Sequence, residues 1–355
     1  MASAVGLMAG LFSCLSLFVL RPIASRLRLL DAPDHRKLHK GAVPLVGGLS
    51  AFVGVAVAWM VGMVGMPLAA GAHGLFLVCA ALLVIVGAID DARDLPANFR
   101  LGVQVVLGAV LTFASGTSLT TLGNLLGFGA IELGFLGPWV TIAAVIGATN
   151  AFNMVDGIDG LAGSLSLVAL GSLALLFSAS PRFGVELALT VGIACALIPY
   201  LMANLRIPPF QRRIFMGDAG SIFIGFAVVW LLVNATQPGE MVMRPVTALW
   251  VIAIPLMDMV AIMLRRARKG QSVMKPDRDH LHHIFMRAGF TDREALLLIT
   301  AAALIFASIG LLGDFYLIPE WVMFVGFMGL FFLYSRALKS VWRLLVLVRK
   351  RYVRH

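Results

Sequence analysis

The sequence predicts an all-α polytopic membrane protein, and three observations predict it. Of its 355 residues, 60% are hydrophobic and only 13% charged. The apolar residues form about eleven continuous runs near the roughly 20 residues a spanning helix needs, without the alternation of a β-barrel. Nearly all of the basic residues lie in alternate connections between those runs or in the C-terminal tail.

In order, the runs lie near 3–20, 47–66, 74–89, 101–118, 137–152, 160–178, 186–203, 219–235, 245–264, 294–312 and 320–336. No Lys or Arg precedes the first run and Arg21 follows it at once. It therefore reads as an anchor with its N-terminus outside rather than a cleavable signal. If the connections at 21–46, 90–100, 204–218 and 265–293 and the tail from Arg336 face the cytoplasm, they hold 26 of the 28 Lys and Arg. Only Arg182 and Arg244 are then left outside. This bias follows the positive-inside rule and predicts N-out, C-in. The net charge of +10 then reflects topology and anionic lipid, not a nucleic-acid partner. Cys14, Cys79 and Cys195 fall inside apolar runs without a C-x-x-C pair, which argues against a disulfide framework or a zinc-ligand spacing. With no soluble domain or convincing internal repeat, residues 1–355 read as one integral membrane domain.

Against this background the polar residues stand out where apolar runs break. Asp90 and Asp91 close the third run, with Asp94 shortly after. Adjacent carboxylates repel, so at least one should bind a cation, pair with a base such as Arg93 or Arg100, or hold a proton. Asn150, Asn153, Asp156 and Asp159 recur every third residue, and in a helix they would line one face. Gly157, Gly160 and Gly163 would permit close backbone approach there. Asp218 opens the eighth run within Phe215-Met216-Gly217-Asp218-Ala219-Gly220-Ser221. It reads as an N-cap or as part of a phosphate site at a helix N-terminus. Phe215 beside it reads as a stacking surface or as interfacial packing.

Two basic connections complete the inventory. The first holds His35-Arg36-Lys37-Leu38-His39-Lys40 ahead of Gly47-Gly48, a candidate phosphate clamp centred on Lys37. The second runs from Arg265 to Arg293 and carries His280-Leu281-His282-His283. Magnesium prefers oxygen ligands and a zinc site would need more ligands, so phosphate binding is the better reading of these histidines. Asp258, inside the ninth run, reads as structural and paired to an Asn or Ser neighbour, with a place facing the site as the alternative, and His73 reads as incidental. Together the residues suggest carboxylates holding a divalent cation against a diphosphate, with basic loops gripping further oxygens. A lipid co-substrate suits that location.

These motifs, in this order, resemble the polyprenyl-phosphate N-acetylhexosamine-1-phosphate transferases, the family that includes MraY, TagO and WecA. The likeness runs from Arg36-Lys37-Leu38-His39 and Pro44-Leu45-Val46-Gly47-Gly48 to Arg287-Ala288-Gly289-Phe290-Thr291. Lys275-Pro276-Asp277-Arg278 and the histidine block look closest to the WecA branch, which often has Ile in place of Leu281. The resemblance implies a bacterial inner-membrane enzyme with eleven spans and a cytoplasmic active-site cleft. It implies transfer of GlcNAc 1-phosphate from UDP-GlcNAc to undecaprenyl phosphate, releasing UMP, with Mg2+ or Mn2+ required. Such a product is the first membrane-bound intermediate of a surface polysaccharide such as an O-antigen. By motif, Asp218 and Asn153 would bind the metal, Asp90 would act as base with Asp91 as its partner, and Asp156 and Asp159 would orient the donor. Lys37, Asn150, Phe215, Arg265, His280, His282 and His283 would contact substrate. UDP-GalNAc, UDP-QuiNAc and UDP-FucNAc stay open as donors, and so does homodimerisation. A lipid-phosphate transporter is the competing class. It would place its polar groups near the bilayer midplane rather than at one face.

Overall fold

The computed structural model describes residues 1–31, 41–62, 71–237, 241–272 and 280–352, with side chains of the last helix as far as 338. Over its described residues each of the eleven apolar runs falls mostly in helix: α1 (Ala2–Ile23), α2 (Gly47–Gly62), α3 (Gly71–Arg93), α4 (Ala97–Ser115), α5 (Gly137–Val155), α6 (Leu161–Ser178), α7 (Gly184–Asn204), α8 (Asp218–Ala235), α9 (Pro245–Val251) with α10 (Ala253–Arg268), α12 (Asp292–Phe315) and α13 (Glu320–Tyr352). A short α11 (Leu281–Arg287) lies between α10 and α12. Among the described residues nine helices are long and apolar enough to cross a membrane, and the α9–α10 pair is a tenth candidate. Helix α2 is apolar but shorter, at 16 residues. The chain is a multi-pass membrane protein.

The ninth run differs from expectation. It is not one straight span but two helices meeting at 84°. Pro255 supplies the cause: it has no N–H, and its ring collides with the carbonyl four residues earlier, that of Val251, where α9 ends. Hydropathy averages over the run and cannot register that collision.

The helices group into two compact units, each entered three times by the chain. The first comprises Met1–Leu119, Phe135–Asn153 and Leu170–Val242. Its central element is α8, buried on nearly every side, as expected of a helix that is apolar all round. Helix α8 packs on α2 and α3, and α1 packs on α2 and α7. Two of these crossings are backbone against backbone. A side chain on Gly48 would run into the Cα of Gly220, and a Cβ on Gly87 would sit 2.5 Å from the Cα of Ala219. Glycine therefore lets the last turn of α3 reach the first turn of α8. A two-residue antiparallel ribbon, β1 (Leu30–Asp31) with β2 (Val43–Pro44), leads into α2. The backbone continues the pairing onto the segment before α8, through Phe215 N to Pro44 O and Gly48 N to Met216 O, both 2.9 Å. At the other end of α3, His73 is not incidental. Its Nε2 lies 3.0 Å from Glu186 Oε1, and its ring stacks on Trp59 at 5.6 Å.

The second unit comprises Thr120–Gly134, Met154–Ala169 and Met243–His355. Helix α12 starts on a capping box in which Thr291 and Glu294 exchange side-chain and backbone bonds. Arg244 closes its far end, donating to Asp314 Oδ1, Gly313 O and Ile318 O at 2.7 Å each. The hairpin at 120–134, paired at Thr121 and Glu132, sets Gly123 against the Glu320 carboxylate at the start of α13.

Candidate active site

In the first unit the acids gather where helices begin and end. Asp90 and Asp91 lie in the last turn of α3, Arg100 in the first turn of α4, Asn153 near the end of α5, and Asp218 is the first residue of α8. Asp91 Oδ1 accepts from Asp218 N at 2.9 Å and Oδ2 from Ala219 N at 3.3 Å. It thus caps α8 from a different helix, supplying what Gly217 at the N-cap position cannot. Asp91 therefore positions Asp218.

Asp90 is differently placed. Its Oδ1 accepts from Leu95 N at 2.7 Å, and its Oδ2 pairs with Arg100 Nη1. The same Arg100 nitrogen lies 3.0 Å from Asp218 Oδ2, so two carboxylates converge on one cationic atom. The Asp90 side chain is 2% exposed and that of Asp218 is 34% exposed, so only Asp218 presents open carboxylate to a ligand. Asn153 Nδ2 donates to Asp218 Oδ1 at 2.8 Å and to Ser221 Oγ at 2.9 Å. Ser221 and Arg100 thus join the group. The sequence marks Arg100 only as a neutralising partner and Ser221 only as one of the small residues after Asp218, although Ser221 falls one helical turn after it.

The stripe expected from Asn150 to Asp159 is interrupted. Helix α5 stops at Val155, and Gly160, at φ +79°, turns the chain into α6. Asn150 and Asn153 therefore stand on the helix, while Asp156 and Asp159 belong to the turn that follows. Asn150 donates to Gln104 Oε1 at 2.8 Å and to Ile146 O at 2.7 Å. It ties α5 to the buried Gln104 of α4. Phe215 is half-buried, with the Arg213 guanidinium 5.9 Å from its ring centre. Lys37 lies outside the described residues.

The histidine group belongs to the second unit, where Asp258 proves to be its support. Asp258 is fully buried; its Oδ2 lies 2.9 Å from His280 Nδ1. Its Oδ1 accepts from Leu281 N at 3.1 Å and from the Tyr334 hydroxyl at 2.8 Å. The expected Asn or Ser partner is thus replaced by His280, the N-cap of α11, together with Tyr334 of α13. The rings of His280 and His282 lie parallel at 5.8 Å, and His283 tilts against His282 at 4.2 Å. His282 is buried with its Nε2 unpartnered, directed at Gly157, where even a methyl group would collide with it. Burial, reinforced by the neighbouring His283 and His280, lowers its pKa to about 3. The His282 ring is therefore uncharged near neutral pH, which leaves hydrogen bonding as its means of contact with phosphate or sugar. Arg265, in the last turn of α10, is half-buried.

Among the described residues no three His, Cys, Asp or Glu groups form a metal cluster. The donor set nonetheless suits a hard divalent ion. Magnesium is usually held by one or two carboxylates, its other places going to water and substrate phosphate. Asp218 and Asp90 already meet at a single cationic atom, and turning the Asn153 amide over would add a carbonyl oxygen.

Carboxylates massed at the ends of apolar helices, with an arginine and an amide to hold them, belong to an enzyme that works in the membrane. The description "Glycosyl transferase family 4" matches residues 73–236, the stretch from His73 to Thr236 that carries all of the acidic group. The undecaprenyl-phosphate alpha-N-acetylglucosaminyl 1-phosphate transferase of Yersinia pestis is 46% identical over 341 residues, covering 96% of this chain and 92% of that protein. The enzyme of the same name from Escherichia coli K12 is 44% identical with the same coverage. The one from Pasteurella multocida is 46% identical over 338 residues, 95% of this chain and 93% of its own. The chain belongs to glycosyl transferase family 4.

Proposed function

We propose that this protein transfers N-acetylglucosamine 1-phosphate from UDP-GlcNAc to undecaprenyl phosphate in the bacterial inner membrane. The observation that carries the reading is the convergence of Asp90 and Asp218 on one cationic atom at the ends of membrane helices. The printed names of near-full-length relatives support the donor and the acceptor.

The reaction is a phosphoryl-group exchange. An oxygen of the lipid phosphate attacks the β-phosphorus of the donor, and the bond from that phosphorus to the bridging oxygen breaks. UMP leaves with the electron pair. When bound, Mg2+ or Mn2+ would neutralise diphosphate oxygens, and Asp218 and Asn153 are the residues that would hold it. Asp91 fixes Asp218 through the first turn of α8. A phosphate monoester loses its second proton at about pH 6, so at neutral pH the acceptor needs little help from a base. Asp90, buried and bound to Arg100, then serves mainly to aim that guanidinium. Asp156 and Asp159 orient the donor, and Phe215 offers a face to uracil. Lys37, Arg265, His280 and His283 bind its phosphates or sugar, and neutral His282 supports His280.

The test uses purified protein, undecaprenyl phosphate, magnesium and a panel of UDP-N-acetylhexosamines, following UMP release. UMP formed with UDP-GlcNAc and lost on adding EDTA is the expected result. UMP formed only with UDP-GalNAc, UDP-QuiNAc or UDP-FucNAc would replace the donor, and none with any sugar would sink the reading.

A further inference from the structure

A second basic place in the first unit lies apart from the acidic group. Beside the ends of α1 and α7 lies a cavity of about 960 Å³ whose lining, among the described residues, includes Arg21, Arg206, Arg212 and Arg213 and no acidic residue. Its apolar wall is Phe18 and Phe210, whose rings stack at 5.9 Å and 24°. The guanidinium groups of Arg21, Arg206 and Arg212 around one space produce a positive potential that a phosphate oxygen cluster relieves.

The neighbouring surface says what carries that phosphate. Leu7, Leu11, Leu15 and Phe18 recur at helical spacing along α1 and are 76%, 58%, 50% and 56% exposed. This is an apolar stripe of a spanning helix facing outward, and it ends at the arginine cavity. An apolar track running into a cationic pocket matches an amphiphile with an acyl chain and an anionic head. Free phosphate or a nucleotide would have no use for the track. We propose that this cavity is a binding site for the phosphodiester headgroup of an anionic glycerophospholipid, its acyl chain lying on the α1 stripe.

The experiment is native mass spectrometry of the full chain released from nanodiscs of phosphatidylcholine containing a minor fraction of phosphatidylglycerol. The wild type should retain phosphatidylglycerol in preference to phosphatidylcholine. The Arg206→Gln/Arg212→Gln variant should bind it about thirtyfold more weakly, from roughly one factor of five per arginine near a lipid surface. Arg206→Lys/Arg212→Lys should keep most of the binding, and Arg26→Gln/Arg28→Gln, equally basic and exposed but outside the cavity, should leave it unchanged. Thermal unfolding in pure phosphatidylcholine checks that each variant is folded. Equal retention by wild type and Arg206→Gln/Arg212→Gln would overturn the proposal. So would displacement of phosphatidylglycerol by millimolar inorganic phosphate, or by stoichiometric undecaprenyl phosphate, since either would assign the cavity to a different ligand.

Discussion

The acidic group of the first unit and the histidine group of the second are both built from residues that apolar sequence should not tolerate, yet they are stabilised in opposite ways. The acids are held by donors. Arg100, two backbone N–H groups at the start of α8 and the Asn153 amide surround them, and Asp218 stays a third exposed. The histidines instead are packed. Asp258 holds His280, and His282 is left neutral against Gly157. The difference separates a place prepared to exchange one cation for another from a place prepared to hold a ring still.

The comparison can be broken most sharply at Asp218. Asp218→Asn removes the open carboxylate while keeping the side-chain volume, and UMP formation should fall by about 10³-fold, the scale of losing one charge contact at the reacting group. A variant of wild-type rate at limiting magnesium would remove Asp218 from the site. Asp258→Asn, which takes away the charged partner of His280 Nδ1, should cost about 10–100-fold, the range seen when a histidine loses its orienting carboxylate. The loss should appear as a raised KM for the UDP-sugar, with kcat changing less. The reverse split would mean that the histidine group acts in the chemical step instead.

Packing rather than charge is tested at Gly157. Gly157→Ala forces a methyl group into the His282 ring and should lower stability by about 1–3 kcal/mol, read as a drop in Tm. An unchanged Tm would show that the ring has room to move. The smallest effect is a pH dependence. His282 titrates at about 3 when folded, against about 6.5 in an unfolded chain. Below about pH 6.5 the unfolded chain takes up a proton that the folded one refuses, so stability falls as the pH drops towards 3 and is unaffected above that window. Between pH 7.5 and 5 the wild type should therefore lose more Tm than His282→Gln. Equal losses in the two proteins would mean that the ring is protonated in place.

Much of this was legible in the chain. Asp90, Asp91, Asn153 and Asp218 stood out because an apolar background makes any acid or amide conspicuous, and their gathering at helix ends followed from where the runs broke. What stayed hidden needed either distance or shape. Asp258 and His280 are separated by 22 residues and Asp258 and Tyr334 by 76, and no local pattern joins them. The role of Asp91 as a cap for α8 depends on Gly87 letting two helices touch, which spacing does not express. The Asn150–Asp159 stripe was real as periodicity but assumed that a helix would run through Gly157 and Gly160. Pro255 was visible, yet its effect depends on which carbonyl lies four residues before it.

The bond between Asp258 and Tyr334 also sets a timetable. A chain growing at about 5–20 residues per second makes the aspartate roughly 4–15 seconds before the tyrosine. Over that interval a carboxylate that ends with no solvent contact gains its three partners in turn, His280 and Leu281 N early and the Tyr334 hydroxyl last. Helix α10 can reach its final packing only when the last spanning segment arrives, so ribosome-bound chains stopped before residue 334 should expose Asp258 to aqueous reagents that the finished protein excludes.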